Sequence, residues 1–185
     1  MNDLTRTPTE RTSKPHQRER GAALIEAALV LPMLLMMLLG TVTASIAYGQ
    51  QTSLQTAARE ASRYGASLPV TGGMDVWLRD VLSVARNAAA GDLAPNVPGQ
   101  FLCVAYVYPA GSTVNDRTTR LTQTNGVLGS VTSGPTATCF DDGRPASERR
   151  VQVVTSRRST IQAIAFDIDV TLRSTSAARF ERFGS

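Results

Sequence analysis

The hydrophobic pattern of the chain is dominated by one run near its start. Residues Ala27 to Ala47 read AALVLPMLLMMLLGTVTASIA, and no charged residue falls between Glu26 and Arg59. A bilayer core about 30 Å thick needs about 20 apolar residues in an α-helix, so this run predicts a spanning helix. Pro32 and Gly40 are tolerated in such helices, although Pro32 removes a backbone donor and predicts a bend near Ala28. Beyond the run the period stays helical: Leu54, Ala57, Ala58, Ala61, Gly65 and Leu68 recur every three or four positions, with Gln51, Gln55, Arg59 and Arg63 around the rest of the barrel. The helix is therefore expected to continue to about Ala66 as a rod of about 65 Å, with its outer part projecting from the membrane. The small residues of that part permit close backbone approach, either to a partner helix or to the protein's own domain.

Pro69 to Gly73 (PVTGG) ends this helix. Met74 opens a second one with an apolar stripe of Trp77, Leu78, Val81, Leu82, Ala85 and Ala88 that should face a core, and Gly91 to Gly99 reads as a loop. Three strands are predicted: Phe101 to Tyr108, Arg150 to Ser156 and Ile161 to Leu172. The Thr/Ser/Gly-rich stretch from Pro109 to Pro135 is expected to be a mobile excursion tied at its far end by Cys139. The expected fold is α+β, with a long N-terminal helix, a second helix and a small antiparallel sheet. Its divisions are a leader at 1–21, a spanning helix at 22–48, a helical extension at 49–68 and an extracytoplasmic domain at 69–185.

Charge sets the expected orientation. Arg6, Arg11, Lys14, Arg18 and Arg20 precede the apolar run, whereas Arg59 and Arg63 are the basic residues within about 20 positions after it, so the N-terminal arm should stay in the cytoplasm. The first 20 residues are polar, carry Pro8 and Pro15, and should be disordered, with His16 simply solvated. The net charge of +4 does not predict a nucleic-acid partner. Its densest pairs (Arg18/Arg20, Arg149/Arg150, Arg157/Arg158) lack interleaved aromatics and a continuous basic stripe.

The two cysteines, Cys103 and Cys139, lack CxxC spacing and a neighbouring histidine, so no metal site is expected. Outside the membrane they would form a disulfide closing a loop of about 37 residues, worth about 3 to 4 kcal/mol; the alternative is two buried thiols. Asp141/Asp142 lie in a DDGRP turn, and Asp167/Asp169 alternate with Phe166, Ile168 and Val170 on what should be the solvent face of a strand. Neither pair is expected to bind calcium or act as an acid/base couple. With no Ser-His or Cys-His set and no phosphate loop, no catalytic residue and no cofactor is expected.

One carboxylate stands at the head of the apolar run. Ionisable groups at membrane depth are rare and usually partnered, which marks Glu26 as a candidate functional residue; the alternative is a side chain that snorkels to the headgroups. Cleavage after Gly21 would give Ala22 a free amine with a pKa near 8, one helical turn from Glu26, able to pair with it in the same chain or in a neighbouring subunit. An acid in the first turn also suits the positive end of the helix dipole.

The run RGAALIEAALVLP, followed by QQTSLQTAAREASRYGA from Gln50 to Ala66, resembles the N-terminal signature of TadE-like proteins of tight-adherence (Flp-type) pilus systems. The resemblance implies a prepilin-type leader cut between Gly21 and Ala22 by a membrane aspartic peptidase, with Glu26 as the family's carboxylate; Ala27 stands where an aromatic residue often follows. It implies a non-enzymatic minor pseudopilin or assembly component in the inner membrane, with other pilins, pseudopilins and tight-adherence assembly proteins as partners and a role in secretion or cell adhesion. The competing expectation is an exported binding protein whose apolar run is a secretory signal cut after Ser45-Ile46-Ala47.

Overall fold

The computed structural model describes residues 16–109, 118–145, 147–162 and 167–180. The chain divides into two compact units, Met1–Thr41 and Val42–Ser185, and the division falls inside the first helix. That helix, α1, spans His16–Ser67 and contains Pro32. It opens before Gly21, so the end of the arm expected to be disordered is already helical. The remainder of the arm lies outside the described residues.

In the second unit the outer part of α1 and a second helix, α2 (Met74–Ala88), cover one face of an antiparallel sheet. The strands are β1 (Phe101–Val107), β2 (Thr118–Thr124), β3 (Val127–Leu128), β4 (Thr132–Gly134), β5 (Arg150–Gln162) and β6 (Asp167–Arg179). Their order is β3-β2-β1-β5-β6, with β4 also pairing β2. The α+β expectation thus holds. The stripe predicted on α2 faces the core: Trp77, Leu78, Val81, Leu82 and Ala85 are buried against Leu102, Val104, Tyr106, Leu121, Val151 and Val153 of the sheet.

Of the two uses open to the small residues of α1, the structure takes the internal one. Leu54, Ala57, Ala58 and Ala61 are wholly buried in this core. A Cβ at Gly65 would lie 3.0 Å from Val81 Cγ2, 3.1 Å from Trp77 Cζ2 and 3.2 Å from Val151 Cγ1, so the absent side chain is what lets helix, helix and sheet meet. Trp77 donates its indole N–H to the Leu68 carbonyl at 3.3 Å and meets the Tyr106 ring edge-on at 5.4 Å, as a core residue should.

Three strand expectations require correction. The stretch from Pro109 to Pro135 is no excursion in its described part, because it supplies β2, β3 and β4. Asn125 and Gly126, both with positive φ (47° and 80°), make the two-residue turn that folds β3 back on β2. Thr and Gln side chains are compatible with a strand when its backbone pairs on both sides, as that of β2 does with β1 and with β3 and β4. Next, β5 does not stop at Ser156 but runs to Gln162. Finally, the strand expected from Ile161 to Leu172 is divided: Ile161 ends β5, and β6 begins at Asp167 and continues to Arg179. Phe166 lies outside the described residues.

The face of the sheet opposite the helices is covered by the segment that precedes β5. Cys103 of β1 and Cys139 form a disulfide with a Cα–Cα separation of 5.8 Å. Gln152, buried, accepts from the Cys139 N–H and donates to the Phe140 carbonyl and to Asp142. Asp142 also receives Arg150 Nε at 2.6 Å, and the two side chains are only 5% and 8% exposed. Asp142 accepts the Arg144 N–H at 3.2 Å within its turn and is in addition half of a buried ion pair. Arg150 Nη1 donates to the Pro145 and Glu148 carbonyls, which adds the hydrogen bonds a buried ion pair needs. Burial opposes ionisation of Asp142, but the hydrogen bonds from Gln152 and Arg150 outweigh it and hold the carboxyl below its ordinary range.

Candidate functional site

The sequence-predicted site lies on α1. Gly21 and Ala22 are adjacent in one turn of the helix and Glu26 lies a turn farther on, all exposed, with Ala22 and Glu26 four residues apart and hence on one face. A Cβ at Gly21 would meet nothing within 4 Å, so local packing does not require glycine there. From residue 21 to residue 42 every position is exposed, including Leu24, Ile25, Leu29, Leu31, Met33 and Leu34. The most apolar window of this helix has a mean hydropathy of 2.4 and none of it is buried. Large side chains on all sides of a helix, with no sequence-coded polar face, cannot remain in water; lipid or other apolar helices must cover them.

The remaining candidates are structural. Cys103 and Cys139 staple the segment that precedes β5 to the sheet, and Asp142 belongs to the ion pair described above. Asp167 and Asp169 are exposed on β6, as the alternation predicted, and Asp169 accepts a hydrogen bond from Thr160 at 2.7 Å. Ile168, expected to point inward, is nevertheless 47% exposed. Among the described residues no group of three His, Cys, Asp or Glu side chains is placed to hold a metal ion. An open groove of about 920 Å³ runs beside the outer part of α1, with Arg59, Glu60, Arg63 and Arg179 on its rim. It contains no nucleophile with a partnered base.

Sequence reasoning did not find the Asp142–Arg150–Gln152 cluster. The only local signal was the Asp-Asp-Gly turn, and the partners come from a strand eight to ten positions away.

The architecture defines a class of protein: among the described residues one apolar helix is long enough to span a membrane, and its C-terminal part is built into a small α+β domain. Within that class the segment 21–63 matches the family model of TadE-like protein. The match opens at Gly21 and ends at Arg63 inside α1, so it contains Ala22, Glu26 and the apolar run and leaves the sheet outside. It bears out the resemblance read from RGAALIEAALVLP. No curated protein and no solved structure gives a significant match.

Proposed function

We propose that this protein is a minor pseudopilin or assembly component of a tight-adherence (Flp) pilus or related secretion apparatus, acting by helix packing in the inner membrane or in the filament. The observation that carries the reading is the coincidence of the TadE-like match at 21–63 with a helix whose apolar side chains are exposed on every side from 21 to 42. Such a helix suits lipid before assembly and neighbouring subunits after it. In this reading the N-terminus is cytoplasmic, the prepilin-type peptidase cuts between Gly21 and Ala22, and the new amine pairs with Glu26 of the same or an adjacent subunit. Pilins, pseudopilins and the other assembly proteins are the partners.

The same observations favour this reading over a cleaved secretory signal. Ala47 and Tyr48 lie in the middle of α1, and two residues farther on Gln50 and Gln51 are bonded to the sheet. A cut there would sever a folded helix, whereas signal cleavage needs an extended, accessible segment.

Sequencing the N-terminus of protein purified from native cells tests the processing step. A start at Ala22 is expected, and a start at Tyr48 would instead indicate secretion. Glu26→Ala should insert normally into the membrane yet abolish pilus output. Normal piliation in that variant would refute the role given to the carboxylate.

A further inference from the structure

The hairpin of β5 and β6 is longer than the sheet that supports it. β1 pairs with β5 from Arg150 to Ser156, whereas β6 follows β5 all the way to Gln162. Six residues of β5 therefore continue as a two-stranded ribbon, about 20 Å at 3.3 Å per residue. Isolated ribbons are marginal in water, and this one is braced at its base, where Arg157 pairs with Asp92 and Arg158 lies against Gly99.

Three hydrogen bonds fix the direction of the ribbon along α1. Ser62 bonds Ser176 at 2.8 Å, Thr155 donates to the Leu54 carbonyl at 3.0 Å, and Ser159 donates to Gln50 Oε1 at 2.7 Å. Moving toward the ribbon's end thus means moving back along the helix toward the apolar run. Ile161 lies two residues past Ser159, about 7 Å, which corresponds to four or five residues of helix and so to about the level of Ile46. Thr43 and Ala47, on the same helical face as Gln50 and Leu54, are partly shielded, while Val42, Ala44, Ser45 and Ile46 are exposed. The apolar run ends at Ala47, so the ribbon's end stands level with the outer edge of the expected bilayer core.

The side chains suit that place. Ile161 and Ile168 are register partners on the helix-facing side of the ribbon, next to the Ser159–Val170 pair. Ile168 is 47% exposed although its strand neighbours are the acidic residues Asp167 and Asp169. Those carboxylates, with Thr160 and Arg158, lie on the opposite side of the ribbon. Arg158 is exposed and three residues, about 10 Å, above Ile161, within reach of lipid phosphates.

We propose that the distal β5–β6 ribbon is a second membrane contact: Ile161 and Ile168 rest in the outer interface of the bilayer beside α1, while Asp167 and Asp169 face the headgroup water. Ribbon and helix together would then fix the height and rotation of the domain over the membrane, which a single helix leaves free. The proposal rests on the reading that the apolar run crosses a bilayer, so its test reports both.

The chain's two cysteines are joined, so single cysteines can be labelled selectively. Full-length Leu35→Cys, Ile168→Cys and Val127→Cys proteins, carrying the fluorophore NBD, are placed in phosphatidylethanolamine/phosphatidylglycerol vesicles with lipids doxyl-labelled at carbon 5 or 12. Val127 is 73% exposed on β3 and serves as the water reference. Label at 35 should be quenched by 12-doxyl lipid, label at 168 should shift to the blue and be quenched by 5-doxyl lipid, and label at 127 should respond only to aqueous iodide. Label at 168 behaving like label at 127, with label at 35 still lipid-quenched, overturns the ribbon contact and leaves the spanning helix intact. Loss of lipid quenching at both 35 and 168 overturns the two together. A shift at 168 that disappears on dilution into excess lipid identifies a second copy as the occupant and overturns the lipid assignment. Native Trp77 emission in each variant confirms that the domain is folded.

Discussion

The two parts of α1 are both apolar, yet they are apolar in different ways. From 21 to 41 the helix carries Leu, Ile and Met around its whole circumference, and all of them are exposed. From Leu54 to Ala66 the buried positions are mostly small (Ala57, Ala58, Ala61, Gly65 and Ala66, beside Leu54), fall on one stripe and lie under a sheet and a second helix. Large residues on all sides suit a soft, non-specific surround such as lipid, whereas small residues on one side suit a rigid partner at close range. Size and angular spread, more than mean hydropathy, distinguish a membrane-facing helix from one built into a domain.

Matched substitutions can break this comparison. The largest difference should come from leucines: Leu54→Ala leaves a cavity in a packed core and should cost the domain about 3 kcal/mol, whereas Leu35→Ala should leave its stability unchanged. Denaturant titration of the full-length protein in detergent, followed by Trp77 emission, measures both. Equal costs would mean that the two parts of the helix share one packed structure.

Glycines sharpen the contrast from the opposite direction. Gly65→Leu forces a side chain into Val81, Trp77 and Val151 and should cost about 2 kcal/mol, while Gly40→Leu, with nothing within 4 Å of its Cβ position, should not lower the midpoint of the same titration.

The smallest expected effect separates the two prominent carboxylates, Glu26 and Asp142. The folded-state pKa of Asp142 is lowered, so its stabilising contribution is complete above the ordinary carboxylate value of about 3.9 and is lost as pH falls from there through the folded-state pKa. Asp142→Asn should therefore be less stable than wild type at neutral pH and lose less stability between about pH 4 and pH 2, as read by thermal melts of the domain. Glu26→Ala should retain the wild-type acid profile, because Glu26 lies exposed on α1. A flattened profile in that variant would tie the head of the helix to the fold of the domain.

Much of the architecture was legible in the chain. The apolar run, the stripe of α2, the loop from Gly91 to Gly99 and the β-branched run of β1 each announce themselves within a few residues, because local periodicity is all they require. The three strands inside the Thr/Ser/Gly-rich stretch were not legible, even though Asn125-Gly126 is a recognised hairpin signal. Thr, Gln and Arg dominate β2, and polar residues enter a sheet only when their backbone and side chains find distant partners: the β2 backbone pairs with β1, and Arg86 donates to Gln123. The length of the β5–β6 hairpin was hidden for a related reason. Ser156 to Thr160 reads as a polar interruption in sequence, yet these residues pair continuously with β6.

Of the candidate site, residues 21, 22 and 26 and the apolar run could be named from sequence alone, since their signal lies in spacing and in one misplaced charge. The Asp142–Arg150 pair, the fit around Gly65 and the descent of the ribbon along α1 could not. Each depends on which segments come together in space, and that is settled by summed long-range packing and hydrogen bonding rather than by the preference of any one stretch. Sequence thus determined that this protein has a helix suited to a membrane and a carboxylate at its head, because hydrophobicity and charge are properties of residues. Tertiary structure decided which small residues of that helix are buried and where the ribbon ends, because burial and height are properties of contacts.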